Sequence, residues 1–507
     1  MRSVLNDFAL TASATNMTYQ QKLFSMANIG ERLIDPRESL GYTDEEMKYI
    51  ENDMICDLNE GYLPYRPRYI VPDYDIFIKN GCKFLDIKPP IDLDQLLDGL
   101  LIIYGHVPSI TSFPVYIGRL DQLIDPFIRD EASDYVKIKR FLNHIDKTIV
   151  DSFCHGNIGP HETRAGHLIL KAVIELQNPT PNLTLLYDAS LTSKDFALEA
   201  LRTCLLAAKP SFSNQVMYQK DVGNHGIVSC YNALPLGGGA YTLLRLRLGT
   251  MVKKATSTEH FIETILPKVA HNMATMMDKR VKYMVEQSHF FETSFLSKEG
   301  FISQDNFTAM FGIVGLADAV NHLLKLENIE ETFGQSDLGD ELGHKILSTL
   351  EHIVSQHEAP YLQRTDGHYL LHAQVGADLS PEDKDNTPAH RIKVGQEPIL
   401  PLHLTQSATF HKYFKSGTGD LFAFDQTYLD HLEALLDIIQ GSFSEGYRYI
   451  TTYLQNSDLI RVTGYLVKRS DVERFNNNEV VLRDTDIFGS GTNNNANVFN
   501  RQTRTFE

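Results

Sequence analysis

Apolar residues recur at helical spacing through long stretches of this chain, and shorter β-prone runs alternate with them. Gln20 to Glu31 mixes apolar and polar positions as an outer helix does, and Thr43 followed by Asp44, Glu45 and Glu46 has the cap and early acids of a helix start. Between Tyr69 and Leu85, and again from Phe113 to Leu123, short β-prone segments flank the helix-like run Leu93 to Tyr104. That alternation predicts an α/β architecture. Helices are expected over His161 to Gln177 and Lys194 to Ala208, with a buried strand at Leu183 to Tyr187 between them. Ala240 to Lys254, Glu259 to Gln287, Phe307 to Leu326 and Leu338 to Gln356 also carry apolar residues at helical spacing. Glu358 to Asn386 is polar and loop-like, with Pro381 and Pro388 as breakers, and Glu397 to Thr405 returns to strand character. Asn476 to Asn500 is low in complexity and reads as an irregular loop.

Composition narrows the function classes. A net charge of −18 disfavours a nucleic-acid partner, because affinity for the phosphate backbone rests on Lys and Arg. Five cysteines without regular spacing give no disulfide framework and suit a reducing compartment. The N-terminal apolar stretch is interrupted by Asn6 and Asp7, unlike a signal peptide. The most apolar run, Leu93 to Tyr104, is broken by Asp94, Gln95, Asp98 and Gly99, too soon for a membrane span. A cytoplasmic protein without a membrane partner is expected.

Several motifs invite chemistry that their details deny. His161-Glu162-Thr163-Arg164-Ala165-Gly166-His167 lacks the second histidine that a zinc-protease helix needs at position 165. Gly237-Gly238-Gly239 lacks the Lys-Ser/Thr of a phosphate loop, which leaves close packing, or an anion cradle if a helix begins at Ala240. No Cys-x-x-Cys pair exists for a zinc site. No metal is expected.

Two other segments carry more. Leu459-Ile460-Arg461-Val462-Thr463-Gly464-Tyr465-Leu466-Val467 reads by itself as a strand entering a turn, with glycine supplying a permissive backbone angle. Gly223 to Gly239 is a small, glycine-rich loop holding Ser229-Cys230-Tyr231-Asn232. With Asn178-Pro179-Thr180-Pro181-Asn182-Leu183-Thr184 and the terminal Thr503-Arg504-Thr505-Phe506, these segments resemble the glycyl radical enzymes, as does Val115 to Asp121. The chain as a whole most resembles their YjjI-type branch.

The resemblance implies an α/β fold: a ten-stranded β/α barrel of two antiparallel halves, surrounded by helices, with cysteine and glycine loops meeting inside. It divides the chain into an N-terminal helical layer and barrel start (1–110), a barrel body with the cysteine loop (111–440) and a glycine radical domain (441–507). It implies a radical stored on Gly464, a thiyl on Cys230 and a small polar substrate. No bound cofactor is implied; a separate radical S-adenosylmethionine enzyme would install the radical, since this chain has no cysteine set for an iron–sulfur cluster. A homodimer is expected.

Two departures bear on the reaction. Pyruvate formate-lyase has a second cysteine where this chain has Ser229, which argues against acyl transfer through paired thiols. Radical dehydratases have a glutamate base where this chain has Asn232, and an amide accepts no proton at useful pH. Asn232, His225 and Ser229 are the remaining substrate or acid–base candidates. The expected activity is an oxygen-sensitive lyase or eliminase. Gly395 to Leu404 and Tyr413 to Gly419 resemble anaerobic ribonucleotide reductase, which supports a reductase alternative. A non-catalytic radical domain or interaction protein is the third reading.

Overall fold

The computed structural model describes residues 2–504 except 32, 34, 58, 59, 61, 62, 110–112, 375–386, 463, 483–498 and 500. The described strands, in chain order, are β1 (Ile55–Cys56), β2 (Tyr69–Val71), β3 (His155–Ile158), β4 (Asn182–Tyr187), β5 (Ser211–Asn214), β6 (His225–Val228) and β7 (Asn232–Pro235). They continue with β8 (Gly238–Arg247), β9 (Phe307–Val314), β10 (Leu370–Ala373), β11 (Asp420–Phe424), β12 (Tyr449–Leu454), β13 (Leu459–Arg461) and β14 (Leu466–Lys468).

Two five-stranded sheets form the centre. In one, β8, β9 and β10 run parallel while β1 and β2 lie antiparallel on β8. In the other, β3, β4 and β5 are parallel, β12 is antiparallel to β5, and β11 is parallel to β12. β6–β7 and β13–β14 are separate hairpins. Both sheets are mixed, and their pairings do not close into one ring. The expected closed ten-stranded barrel is therefore not what the described backbone pairing draws.

Helices cover these sheets where the pattern predicted them. Thr43 caps Asp44–Glu51 through a reciprocal box with Glu46. Leu93–Tyr104, Arg164–Leu176, Lys194–Ala207 and Asp337–Gln356 are α-helices with their apolar faces buried. No helix among the described residues is long and apolar enough to cross a membrane.

Three expectations fail for identifiable reasons. Ala240 to Lys254 begins as strand β8, and Phe307 to Leu326 begins as strand β9; both strands are buried along their whole length. A strand covered on both faces need not alternate apolar with exposed polar positions, so its spacing does not distinguish it from a buried helix. Gly315, at φ +81°, ends β9 and starts the helix Leu316–Leu326. Glu397 to Thr405 is not a strand: Leu400–His411 is a helix, with Pro401 in the first turn, where its missing N–H costs nothing. The loop expected over Glu358 to Asn386 contains β10, and its residues 375–386 lie outside the described residues, as does most of Asn476 to Asn500. Because β8 replaces a helix at Ala240, the anion-cradle reading of Gly237–Gly239 falls. A Cβ on Gly238 would lie 2.0 Å from the Asn306 carbonyl oxygen, so close packing accounts for that glycine.

Candidate active site

The β6–β7 hairpin presents Ser229-Cys230-Tyr231 at its tip, and the β13–β14 hairpin presents Gly464 at its own. Arg461 pairs with Leu466 across the second hairpin, and Val462 N–H donates to Tyr465 O at 3.2 Å. The two tips meet. A Cβ added to Gly464 would lie 1.6 Å from Cys230 Cβ, 2.8 Å from its Cα and 3.0 Å from its Sγ. Contact with Cys230 leaves no room for a side chain here.

Cys230 is buried, and burial pushes its thiol above the ordinary range against weaker opposing effects of a backbone hydrogen bond at Tyr231, Arg391, the Ser229 side chain and Arg68. The sulfur therefore keeps its hydrogen at neutral pH, the state a hydrogen-atom relay needs; a nucleophilic cysteine would need the opposite shift. Its S–H donates to Asn232 Oδ1 at 3.4 Å. That contact turns the Asn232 amide so that Nδ2 has no partner among the described residues.

Polar side chains on the second sheet and on β13 hold the glycine turn. Asn182, the first residue of β4, donates from Nδ2 to Gly464 O at 3.1 Å. Arg461 is fully buried; it donates to Asn182 Oδ1 at 2.6 Å, to Ala208 O at 2.8 Å and to Gly464 O at 3.4 Å. His155 on β3 donates from Nδ1 to Ser229 O at 3.1 Å, and its Nε2 accepts from Thr184 Oγ1 at 2.8 Å. Burial pushes His155 down to about 3, so it stays neutral in this tautomer. β3 and β4 thus fix both tips.

The segment following β14 adds a strap. Arg501 donates to Arg461 O at 3.2 Å, to Tyr453 Oη at 3.2 Å and to Val462 O at 3.4 Å. Thr503 N–H donates to Ala423 O, and Arg504 O accepts from Leu400 N–H at 2.6 Å.

Of the five residues singled out from the sequence, Gly464, Cys230, Ser229 and Asn232 share this junction. His225 does not. It pairs with Pro235 at the open end of the β6–β7 hairpin, with β6 between it and the tip, roughly 10 Å of strand. Its Nδ1 donates to Gly223 O, and burial lowers it to about 4. Ser229 contributes chiefly through its backbone, at φ +59° with its carbonyl on His155. Asn182 lies in the Asn178–Thr184 segment and Arg461 in the Leu459–Val467 segment, yet nothing in either sequence marks them as contacts of the glycine. Only the buried, paired geometry reveals them.

One cluster has the composition of a metal site: ligand atoms of His390, His411 and Asp420 lie within 4.8 Å of one another. Its hydrogen bonds do not fit a metal. His411 Nδ1 accepts the Arg448 N–H at 3.0 Å, so its Nε2 carries the hydrogen and faces Asp420 Oδ2 at 3.3 Å with no lone pair to offer. Arg391 Nε lies 3.7 Å from the same carboxylate. Burial raises the Asp420 pKa, but the His390 imidazole 3.8 Å away and the hydrogen bond from His411 outweigh it and hold the group well below the usual carboxylate range.

The chain matches the family model for YjjI-like glycyl radical enzymes over residues 17–504. It belongs to that family. It is 61% identical to an uncharacterized protein of Haemophilus influenzae over 99% of this chain and 98% of the relative. It is 38% identical to the protein YjjI of Escherichia coli K12 over 91% and 89% of the two chains. Among solved structures, the anaerobic ribonucleotide reductase of Thermotoga maritima, in complex with dATP and CTP, superimposes with a TM-score of 0.70 at 10% identity, covering 91% of each chain. The glycerol-bound B12-independent glycerol dehydratase of Clostridium butyricum gives 0.63 at 12% identity, covering 96% of this chain and 86% of that one. The α/β fold is thus that of glycyl radical enzymes.

Replacing Asn182 with Ala should weaken the glycine turn by about 1–3 kcal/mol, because Gly464 O loses its shorter donor and Arg461 loses a buried acceptor. Chemical unfolding, with hydrogen exchange of the β13–β14 hairpin, measures this. Unchanged protection of the hairpin would show that Asn182 does not hold the turn.

Proposed function

We propose that this protein is an oxygen-sensitive glycyl radical enzyme that stores its radical on Gly464 and works through a thiyl on Cys230. The observation that carries the reading is the contact of Gly464 with the buried, protonated Cys230. The Gly464 Cα radical takes the hydrogen atom from Sγ, giving a closed-shell glycine and a thiyl. The thiyl takes a hydrogen atom from a substrate carbon, and the thiol is restored. When product forms, the product radical takes the hydrogen back. Each transfer breaks one X–H bond and forms another, so no external oxidant is needed within the cycle.

A partner radical S-adenosylmethionine enzyme makes the first radical: a one-electron donor cleaves S-adenosylmethionine, and the resulting carbon radical removes a Gly464 hydrogen. The two five-stranded sheets are read as the halves of the family barrel, within the division 1–110, 111–440 and 441–507. A cytoplasmic homodimer completes the proposal.

The reaction is assigned to the lyase or eliminase class. Ser229 in place of a second cysteine speaks against acyl transfer, and Asn232 speaks against glycerol-type dehydration that uses a base at that position. The reductase reading draws support from the superposition on anaerobic ribonucleotide reductase. Against it stands the lack of a Cys-x-x-Cys pair anywhere in the sequence.

Anaerobic activation followed by electron paramagnetic resonance is the test, with a glycyl doublet expected. Air should then cut the activated chain at Gly464, because dioxygen adds to a carbon radical and the peroxyl decays with backbone scission. Mass spectrometry should detect residues 465–507 as a separate fragment. An intact mass after a quantified doublet would count against Gly464 as the exposed spin carrier.

A further inference from the structure

Buried polar atoms without partners gather around Tyr231, the residue next to Cys230. His372 on β10 lies with its ring 6.0 Å from the Tyr231 ring, and the Tyr231 hydroxyl donates to Ala373 O at 2.8 Å. The Arg391 guanidinium stands 5.5 Å from the same ring. Ser416 Oγ gives its hydrogen to Leu371 O at 2.9 Å and accepts from His372 Nδ1 at 3.2 Å, which leaves His372 Nε2 an acceptor with no partner among the described residues. Arg391 donates from Nε to Gly419 O at 2.7 Å, and its Nη2 is equally unpartnered. Asn232 Nδ2, beside the Cys230 sulfur, is the third such atom. Asn232 and His372 are fully buried, and Arg391 is 8% exposed.

A buried polar atom left unpaired costs about 1–3 kcal/mol, so three around one hairpin tip call for a shared explanation. Their chemistry narrows it. Two are N–H donors by necessity, the amide and the guanidinium, and neither can accept a hydrogen bond through that nitrogen. The charged groups bearing most on the Cys230 sulfur are Arg391 and Arg68, both cationic. Arg68 is a second partly unsatisfied guanidinium: Nη1 lies 3.4 Å from Glu60 Oε1, while Nε has no partner. Asp420 faces Arg391 from the Nε side, leaving Nη2 free of it. The glutamate that dehydratases place two residues after the cysteine is absent here, and with it the negative charge that would repel an anion from this spot.

We propose that the substrate is a small carboxylate, whose oxygens are received by Arg391 Nη2 with Asn232 Nδ2 while the carbon to be activated faces Cys230. The inference rests on the radical reading above and adds the substrate class to it. Arg68 contributes positive field from the neighbouring sheet. A carboxylate fits better than a phosphate ester because a planar monoanion is satisfied by a guanidinium edge and one amide, whereas a dianion with three oxygens needs more donors.

Binding to the full-length, unactivated protein tests this without the radical. Isothermal titration calorimetry, done anaerobically, would compare glycolate and lactate with their amides, and with glycerol 1-phosphate. The carboxylates should bind at least about tenfold more tightly than the amides. Arg391→Gln should remove that preference, and Arg391→Lys should restore part of it. If Arg391→Gln does not fold, the wild-type carboxylate–amide comparison decides, with Asn232→Ala as the second variant. Equal binding of acids and amides, no binding of any carboxylate, or an unchanged preference in folded Arg391→Gln would overturn the proposal, and tighter binding of the phosphate ester would overturn the carboxylate assignment. Spin measurements on the same preparations keep the two readings apart. A doublet without carboxylate preference removes the substrate class alone; carboxylate preference without a doublet removes the radical reading alone.

Discussion

Activated Gly464→Ala should show no glycyl doublet and no turnover. Two independent effects lead there. A radical at glycine Cα is delocalised over both flanking peptide groups, and a side chain twists that system out of plane. The new methyl would also fall 1.6 Å from Cys230 Cβ, an overlap that packing relieves only by displacing one hairpin tip. Forced overpacking of this sort costs about 1–3 kcal/mol, so the variant should also melt earlier. The double variant Cys230→Gly with Gly464→Ala separates the effects, because it removes the atom that clashes most. Its melting temperature should recover towards that of Cys230→Gly while the doublet stays absent. A doublet persisting in Gly464→Ala, or one assigned by isotope labelling to another residue, would sink the central claim.

The site was more legible in the sequence than the sheets around it. Gly464 and Cys230 stand in segments whose composition is peculiar, and the resemblance to a radical family attached to those residues directly. That they touch could not be read from a separation of more than two hundred positions; it depends on β3 and β4 supplying His155 and Asn182 to the two tips. The sheets suffered from a physical ambiguity. β8 and β9 are buried on both faces along their whole length, with Arg245 and Arg247 buried as well, so residue type does not report a half-exposed strand there. Amphipathic helices such as Asp337–Gln356 kept their period and were read correctly. His225 illustrates the opposite error. Five positions from the thiol in sequence looked close, but an extended strand carries each residue about 3.3 Å further away.

Cys230→Ser should keep the doublet and lose all turnover. The substitution leaves the β-carbon against Gly464 and retains a donor for Asn232 Oδ1, so the glycine turn and its activation should survive. What changes is the bond that must break. A serine O–H is much stronger than a thiol S–H, and the Gly464 radical, stabilised by its two peptide groups, cannot draw hydrogen from it. The burial that keeps Cys230 protonated makes this comparison clean, because the wild-type residue enters the relay as S–H and not as thiolate. The measurement is spin quantification on activated Cys230→Ser beside wild type, followed by hydrogen–deuterium exchange into added small carboxylates. Wild type should exchange substrate hydrogen through the thiol even where the full reaction is unknown, since solvent deuterium enters at sulfur. Exchange that continues in Cys230→Ser would place the working radical on another residue; loss of the doublet would instead tie radical storage itself to the sulfur, which the proposed relay does not allow.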